Sequence, residues 1–420
     1  MPNVTQYLDF DLSLTREGNE YMAEVRDSPA GGTARVALRW PFGTEPHEML
    51  LLKLENAILK GRGYRAGPLT SEEKVLREFG SEIFRAVFRD SEDVARKFTS
   101  SLDNIRSQQG LGLRLVLRVE PPELAMLPWE YMFEQSKAKD SDGNYLCLRD
   151  VSPLVRYLNV AGSRKNPPVD GTLRILGMIA NPATDEWKWL DAEAERRRIA
   201  QALKIPRPEV ELRWVPGGSI DDLFEMMQRE TWHVFHFIGH GGTETYVDEA
   251  GQPHTEGFVV MQDRQGGAVK ITASDLALML DSNDELKLTV LNCCESGRST
   301  GGFSSIGAAL VTSSTPMAVA MQYAISDGSA SCFAGAFYGS LIAGQCVERA
   351  LTAARKRIKF ESNVEWGIPV LFTRTTPSAL IEIDVRRADA SSEPPAAVPA
   401  MAAAPTQRVQ ALQELRRLFL

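Results

Sequence analysis

From residue 172 onward, short, almost wholly apolar runs alternate with stretches of helical period, and this restricts what the chain can fold into. Strands are expected at 173–180, 210–215, 232–238, 257–262, 286–292, 316–322 and 368–373. Helical stretches separate them at roughly 188–204, 219–230, 273–282, 303–313, 328–343 and 346–360. Strand–helix alternation of this kind builds a largely parallel sheet with helices on both faces, an α/β fold.

The first ~115 residues read differently, within the few-residue error of boundaries placed by pattern. Tyr7 to Leu14 alternates polar with apolar residues, as a half-buried strand does. Tyr21–Val25 and Arg35–Trp40 repeat the pattern around a Gly31–Gly32 turn. Helical periodicity follows over 46–60 and 71–88, the second opened by Thr70 as cap with Glu72 and Glu73 behind it. These features predict a small α+β module at 1–115, with the larger α/β region at 116–385. The strictly alternating Leu111–Val119 run adds a strand at the junction. Residues 386–405 are rich in Ala and Pro and read as a flexible linker. Residues 406–420 place Val409, Leu412, Leu415 and Leu418 at helical spacing, a segment too short to be stable without a surface to dock on.

The 420-residue chain carries a net charge of −8, which argues against nucleic acid or anionic membranes as principal partners. Its five cysteines are odd in number, and only Cys293 and Cys294 lie close together, a usage that fits a reducing compartment better than a disulfide framework. The first residues lack a basic flank with a continuous apolar stretch, and no run reaches spanning length. The expected location is the cytoplasm.

Two of the apolar runs end on reactive side chains. Val234–Ile238 delivers Gly239-His240-Gly241-Gly242, read as a loop, and Leu288–Leu291 leads to Cys293 and Cys294. In an open parallel sheet the carboxyl ends of the strands face one crevice, so the imidazole and a thiol can meet there. A thiol beside an imidazole is the minimal equipment for covalent acyl transfer. His240 and Cys294 are the candidate catalytic residues. The backbone N–H groups of Gly241 and Cys294 are the candidate oxyanion donors, Gly241 because it lacks a Cβ and allows close approach.

Blander readings apply to the neighbours. Cys293, near its strand's end, is expected to pack as a small hydrophobe. Zinc is not expected: His233 and His236 sit at odd separation on one strand and so point to opposite faces, and no CxxC or HExxH occurs. No cofactor is expected. Asp185, Glu186, Glu193 and Glu195 read as a solvated helix opening. Asp327, just past the 316–322 strand, reads either as a helix cap or as a charged wall selecting a basic side chain. Gly217-Gly218-Ser219 lacks a Walker lysine and reads as a turn and cap. His47 and His254 fall in loop-like contexts and receive no role.

At His236-Phe237-Ile238-Gly239-His240-Gly241 and Val290-Leu291-Asn292-Cys293-Cys294-Glu295-Ser296 the chain resembles the CHAT family of caspase-like cysteine peptidases, relatives of separase. Ile325-Ser326-Asp327, Phe337–Leu341 and the Leu127-Pro128-Trp129-Glu130 segment support the resemblance, which covers about 120–380. It departs at Cys293, where a small residue is usual. It implies a caspase–haemoglobinase-like sandwich with a mostly parallel central sheet, His240 and Cys294 as a dyad, and Asp327, with Glu295, near a basic P1 residue. It also implies a protein substrate, activation by a sensor or adaptor reached through the C-terminal segment, and a role in bacterial stress or antiphage defence, including gasdermin-type effector cleavage. The competing expectation is a catalytically silent adaptor that keeps the fold and recruits partners through its tail.

Overall fold

The computed structural model of the chain describes residues 6–63, 69–135, 143–160, 167–182, 184–204, 210–247, 253–293, 304–375 and 380. The expected linker at 386–405 and helix at 406–420 lie outside them. The chain opens with an antiparallel run of β1 (Gln6–Glu17), β2 (Glu20–Asp27) and β3 (Ala34–Leu38). Helices α1 (His47–Gly61), α2 (Ser71–Phe88) and α3 (Glu92–Arg106) follow, then β4 (Leu111–Val119), which pairs in parallel with β1. A connecting region holds α4 (Pro122–Ala125), the short β5 (Phe133–Gln135) and β6 (Gly143–Tyr145), and β7 (Leu154–Tyr157). Beyond it come β8 (Leu173–Ile179), α5 (Ala192–Ala202), β9 (Val210–Trp214), α6 (Ile220–Arg229), β10 (Val234–Val247), β11 (Pro253–Gln262) and β12 (Ala268–Thr272). The chain continues through α7 (Ala273–Asp281), β13 (Leu288–Cys293), α8 (Ser304–Ser313), β14 (Met317–Met321), α9 (Asp327–Ile342), α10 (Val347–Lys359) and β15 (Pro369–Thr373).

One large sheet runs in the order β12-β11-β10-β13-β14-β15-β7-β4-β1-β2-β3, with β8 on β10 and β9 on β8. Its centre, β9-β8-β10-β13-β14, is wholly parallel. Alternation along β10 explains the layers. Val234 and Ile238 face a core shared with α5, α9 and α10, whereas Phe235 and Phe237 face a second core built with α6, α7 and α8. The expected α/β sandwich with helices on both faces is present. β4, which straddles residue 115, pairs with β1 on one edge and β7 on the other, so one sheet runs through both expected regions.

The Leu127–Glu130 segment is a buried joint. Arg156 on β7 reaches Glu130 through its Nε (3.1 Å) and Nη2 (2.5 Å) and donates to the carbonyls of Ala125 and Leu127. Gln322, just past β14, donates to the same carboxylate at 3.0 Å. Glu130 is 1% exposed and Arg156 5%, so the charges are compensated inside the protein. Gly80 on α2 has no Cβ for a packing reason: one would lie 1.8 Å from the Tyr131 carbonyl oxygen.

Most expected elements fall within a few residues of those observed, but three readings need correction. The Gly239–Gly242 stretch is not a loop. It continues β10 and pairs antiparallel with β11, placing His240 opposite Val260 and Gly241 opposite Val259. Glycines usually weaken a strand, but here they permit close approach: a Cβ on Gly239 would lie 2.6 Å from the Phe237 ring and 2.8 Å from the Ala180 carbonyl. The helices α3 and the strand β12 were not anticipated. In α3 only Val94, Phe98, Ser101 and Ile105 are buried, one small polar residue interrupting a sparse apolar stripe. His47 opens α1 and His254 lies on β11 opposite Tyr246, neither in a loop; His47 stacks on Trp40, with ring centroids 4.7 Å apart.

Candidate active site

Strand register brings the two reactive segments together. β10 and β13 are parallel neighbours, and Gly239 is the partner of Cys293. His240 is therefore one residue beyond the paired position on β10, and Cys294 is the next residue after the corresponding position on β13. Cys294 and Glu295 lie outside the described residues.

Cys293 points away from His240. It shares the second core with Phe237 and Leu291 and is fully buried. Burial, reinforced by the negative charge of Glu195, pushes its thiol well above the ordinary range. A thiol held neutral this way is a packing group, as its sequence context suggested.

His240 lies on the opposite face, 1% exposed. Its Nε2 is 2.6 Å from the main-chain carbonyl oxygen of Lys188. A carbonyl can only accept, so Nε2 carries the hydrogen and, in the neutral ring, Nδ1 carries the lone pair. The Trp187 ring lies against the imidazole, centroid to centroid 5.3 Å, and Phe258 of β11 meets Trp187 edge-on at 6.2 Å.

The segment supplying Lys188 and Trp187 joins β8 to α5. Asn181 fastens it by a reciprocal pair: its Nδ2 donates to the Leu190 carbonyl (2.9 Å) and its Oδ1 accepts from the Leu190 N–H (3.2 Å). Because β8 is also a parallel neighbour of β10 and pairs with it up to Ile238, this strap starts beside the residues that lead into His240. No sequence pattern pointed to the strap, since its contribution to the imidazole is a main-chain atom. Beyond it an open groove of about 300 Å³ is lined by Trp189, Trp214, Glu193, Arg196 and Gln262 among others.

Asp327 is exposed and is the first residue of α9, not its cap. Ser326 is the cap, accepting from the Ser329 N–H. That end of the helix is fixed by Glu365, a fully buried carboxylate that accepts from the Ser326 N–H (2.6 Å), the Ser326 and Ser329 hydroxyls (3.0 and 2.9 Å) and the Gly63 N–H (2.7 Å). Gly241 is a ladder residue of β10, the partner of Val259 on β11. Ser219 and Asp222 form a capping box at the start of α6, as a turn and cap should.

One assignment is overturned. Glu195 does not belong to a solvated face: it is 3% exposed, and its Oε1 lies 2.9 Å from Nε2 of His236. Asn292 donates to the same oxygen at 2.5 Å and to the Ala330 carbonyl at 3.3 Å. The Tyr338 hydroxyl is 2.9 Å from His236 Nδ1. Helix register placed Glu195 among acids at an exposed helix start, but α5 turns that position toward the sheet. Burial raises its carboxyl above the usual range, while the bonds from His236 and Asn292 oppose that shift. Asn292 Oδ1 is buried without a partner among the described residues, a deficit of about 1–3 kcal/mol that apolar packing would avoid.

The CHAT domain family matches residues 77–398. Among solved structures, the chain is similar to Saccharomyces cerevisiae separase in its complex with securin, at 12% identity and TM-score 0.37, covering 79% of this chain and 22% of that one. It is also similar to the Arg-specific cysteine proteinase gingipain R, at 12% identity and TM-score 0.37, covering 81% of this chain and 76% of that one. A secreted C11 cysteine protease from Bacteroides thetaiotaomicron, bound to an irreversible peptide inhibitor, is similar at 11% identity and TM-score 0.30, covering 44% of this chain and 57% of that one. The chain thus spans about a fifth of the separase chain. No curated protein matches it. Among the described residues, no helix is long and apolar enough to cross a membrane.

Proposed function

Because the chain belongs to the CHAT domain family, we propose that it is a cysteine endopeptidase whose dyad is His240 and Cys294. The observation that carries this reading is the Gly239–Cys293 register together with an imidazole whose Nε2–H is already committed to the Lys188 carbonyl. Nδ1 of His240 takes the thiol proton of Cys294, and the sulfur attacks the scissile carbonyl carbon to give a tetrahedral oxyanion. Main-chain N–H groups of Gly241 and Cys294 stabilise that oxyanion. Nδ1 then returns the proton to the leaving amine as the C–N bond breaks. Water, deprotonated by the same nitrogen, hydrolyses the thioester and restores the thiol.

Asp327 stands exposed at the α9 terminus fixed by Glu365 and suits a basic P1 side chain; Glu295 is its sequence-level companion. The near-complete burial of His240 beneath Trp187 supports a resting state that opens before substrate is cut. A sensor or adaptor acting through residues 386–420 would supply that opening. The setting we favour is bacterial stress or antiphage defence with a protein substrate, of which a gasdermin-type effector is one example. The same burial is the one observation favouring a second reading, a silent adaptor.

An Arg-P1 peptidyl acyloxymethyl ketone separates the two. Covalent labelling of wild-type protein that disappears in Cys294→Ala supports the peptidase. Absence of labelling from purified protein and from lysate supplemented with the protein's cellular partners favours the adaptor. Labelling that survives Cys294→Ala and vanishes in Cys293→Ala would reassign the nucleophile.

A further inference from the structure

Four buried polar side chains lie between the elements that deliver the candidate site. Glu195 comes from α5, the helix that follows the Lys188 strap. His236 is on β10, on the face of His240 and four residues before it. Asn292 is on β13, adjacent to Cys293. Tyr338 is on α9, the helix that begins at Asp327. All four are essentially inaccessible to solvent.

Their hydrogen bonds form one directed chain. The Glu195 carboxylate accepts, so His236 Nε2 donates to it at 2.9 Å, leaving Nδ1 of the neutral ring to accept from the Tyr338 hydroxyl at 2.9 Å. Asn292 Nδ2 donates to the same Glu195 oxygen and to Ala330 on α9. Neither the acyl transfer nor the charged wall at Asp327 uses any of these groups. A sheet covered by helices needs no buried carboxylate at this point, because leucine or phenylalanine would pack there without desolvating a charge.

We infer that Glu195, His236, Asn292 and Tyr338 form a positioning node that sets α5, β10, the carboxyl end of β13 and α9 relative to one another. Because a buried network has few alternative arrangements, disturbing one member displaces the elements it joins. Its effect on catalysis is indirect: it holds in register the neighbouring strands β10 and β13, which carry His240 and lead into Cys294. The inference rests on the dyad reading and names residues that this reading leaves without a role.

The test measures alkylation of Cys294 by iodoacetamide as a function of pH, read by peptide mass mapping, so that no substrate need be known. The variants are Tyr338→Phe, which removes a single hydroxyl, Glu195→Ala, and Glu195→Gln, which keeps an acceptor in place; His240→Ala is the control. The expected result is that Tyr338→Phe and Glu195→Ala slow alkylation at about pH 6 by about tenfold or more, with the titration moving toward that of an ordinary thiol. Glu195→Gln should recover part of the loss. A purely structural role would lower the melting temperature and leave the pH–rate profile in place. If Glu195→Ala does not fold, Tyr338→Phe alone decides. Profiles that superimpose on wild type while His240→Ala shifts its own would overturn the node and leave the dyad standing. No shift in His240→Ala would overturn the dyad itself.

Discussion

The main-chain carbonyl of Lys188 fixes the tautomer of His240, 2.6 Å from its Nε2. The carbonyl is held there by a strap fastened through Asn181, so the orientation of the imidazole depends on a side chain outside the reaction. Asn181→Ala removes both bonds to Leu190. Turnover of a cleaved protein or peptide should fall about tenfold to a hundredfold with little change in KM, because the loss is one of orientation. Steady-state kinetics would show this, and a pure KM effect would place the strap in substrate binding instead.

The two adjacent thiols should behave oppositely. Cys293→Ala removes a buried sulfur from the α8 side of the sheet and should cost about 1 kcal/mol in urea unfolding while preserving activity. Cys294→Ala should abolish cleavage with no comparable change in stability.

Each thiol that the structure describes is held above its ordinary pKa, mainly by burial. Cys147 is pushed up to about 12, and Cys293, Cys332 and Cys346 are raised as well. Under native conditions near about pH 6, iodoacetamide should therefore modify Cys294 before any of these four. Mass mapping after brief treatment gives the order directly, and early modification of Cys332 or Cys346 would contradict it.

Much of this architecture was legible in the sequence, for identifiable reasons. Apolar runs at Leu288–Leu291 and Met317–Met321 could only be buried strands, and both are central strands of the sheet. The segments carrying His240 and Cys294 were expected on neighbouring strands, and Gly239 on β10 is the partner of Cys293 on β13. What escaped was set by contacts distant in sequence. Glu195 looked like a solvated acid until α5 turned it onto His236, and nothing local distinguishes it from its exposed neighbour Glu193. Lys188 acts through its backbone, which residue identity does not report. Glu365 sits in a three-residue 3₁₀ turn with no periodicity to flag it, yet it anchors the start of α9.

The stability contribution of Glu195 should vary with pH in a direction fixed by its environment. Its carboxyl is raised above 4.5 mainly by burial, so folding favours the protonated form. That contribution is full below the unfolded-state value and is lost as pH rises through the folded-state value. Relative to Glu195→Gln, which cannot ionise, wild type should lose ground in melting temperature between about pH 4 and neutrality. A constant difference across that interval would mean the carboxylate is fully compensated by His236 and Asn292.

Glu130 and Arg156 make a different case, a buried pair with both partners well bonded. Glu130→Ala would leave the Arg156 guanidinium buried with only carbonyl and amide acceptors, and should cost about 3–5 kcal/mol. The double variant Glu130→Leu with Arg156→Met removes two of the charges and should recover part of that loss, because the buried Arg355, 4.0 Å from the Glu130 carboxylate, keeps its own. Urea unfolding of the two variants provides the comparison.

Asp327 offers the sharpest separation between a structural and a selective role. The structure gives the capping function to Ser326 and the anchoring function to Glu365, leaving Asp327 exposed, attracted by the helix dipole and repelled by the buried Glu195 carboxyl. Asp327→Asn should therefore change stability by no more than about 1 kcal/mol. If its carboxylate faces a basic P1 side chain, the same substitution should slow labelling by an Arg-P1 acyloxymethyl ketone at least about tenfold, while a citrulline-P1 analogue, matched in shape but uncharged, is unaffected. Equal losses for both probes would assign Asp327 to the geometry of the cleft, and no loss for either would remove it from the substrate site.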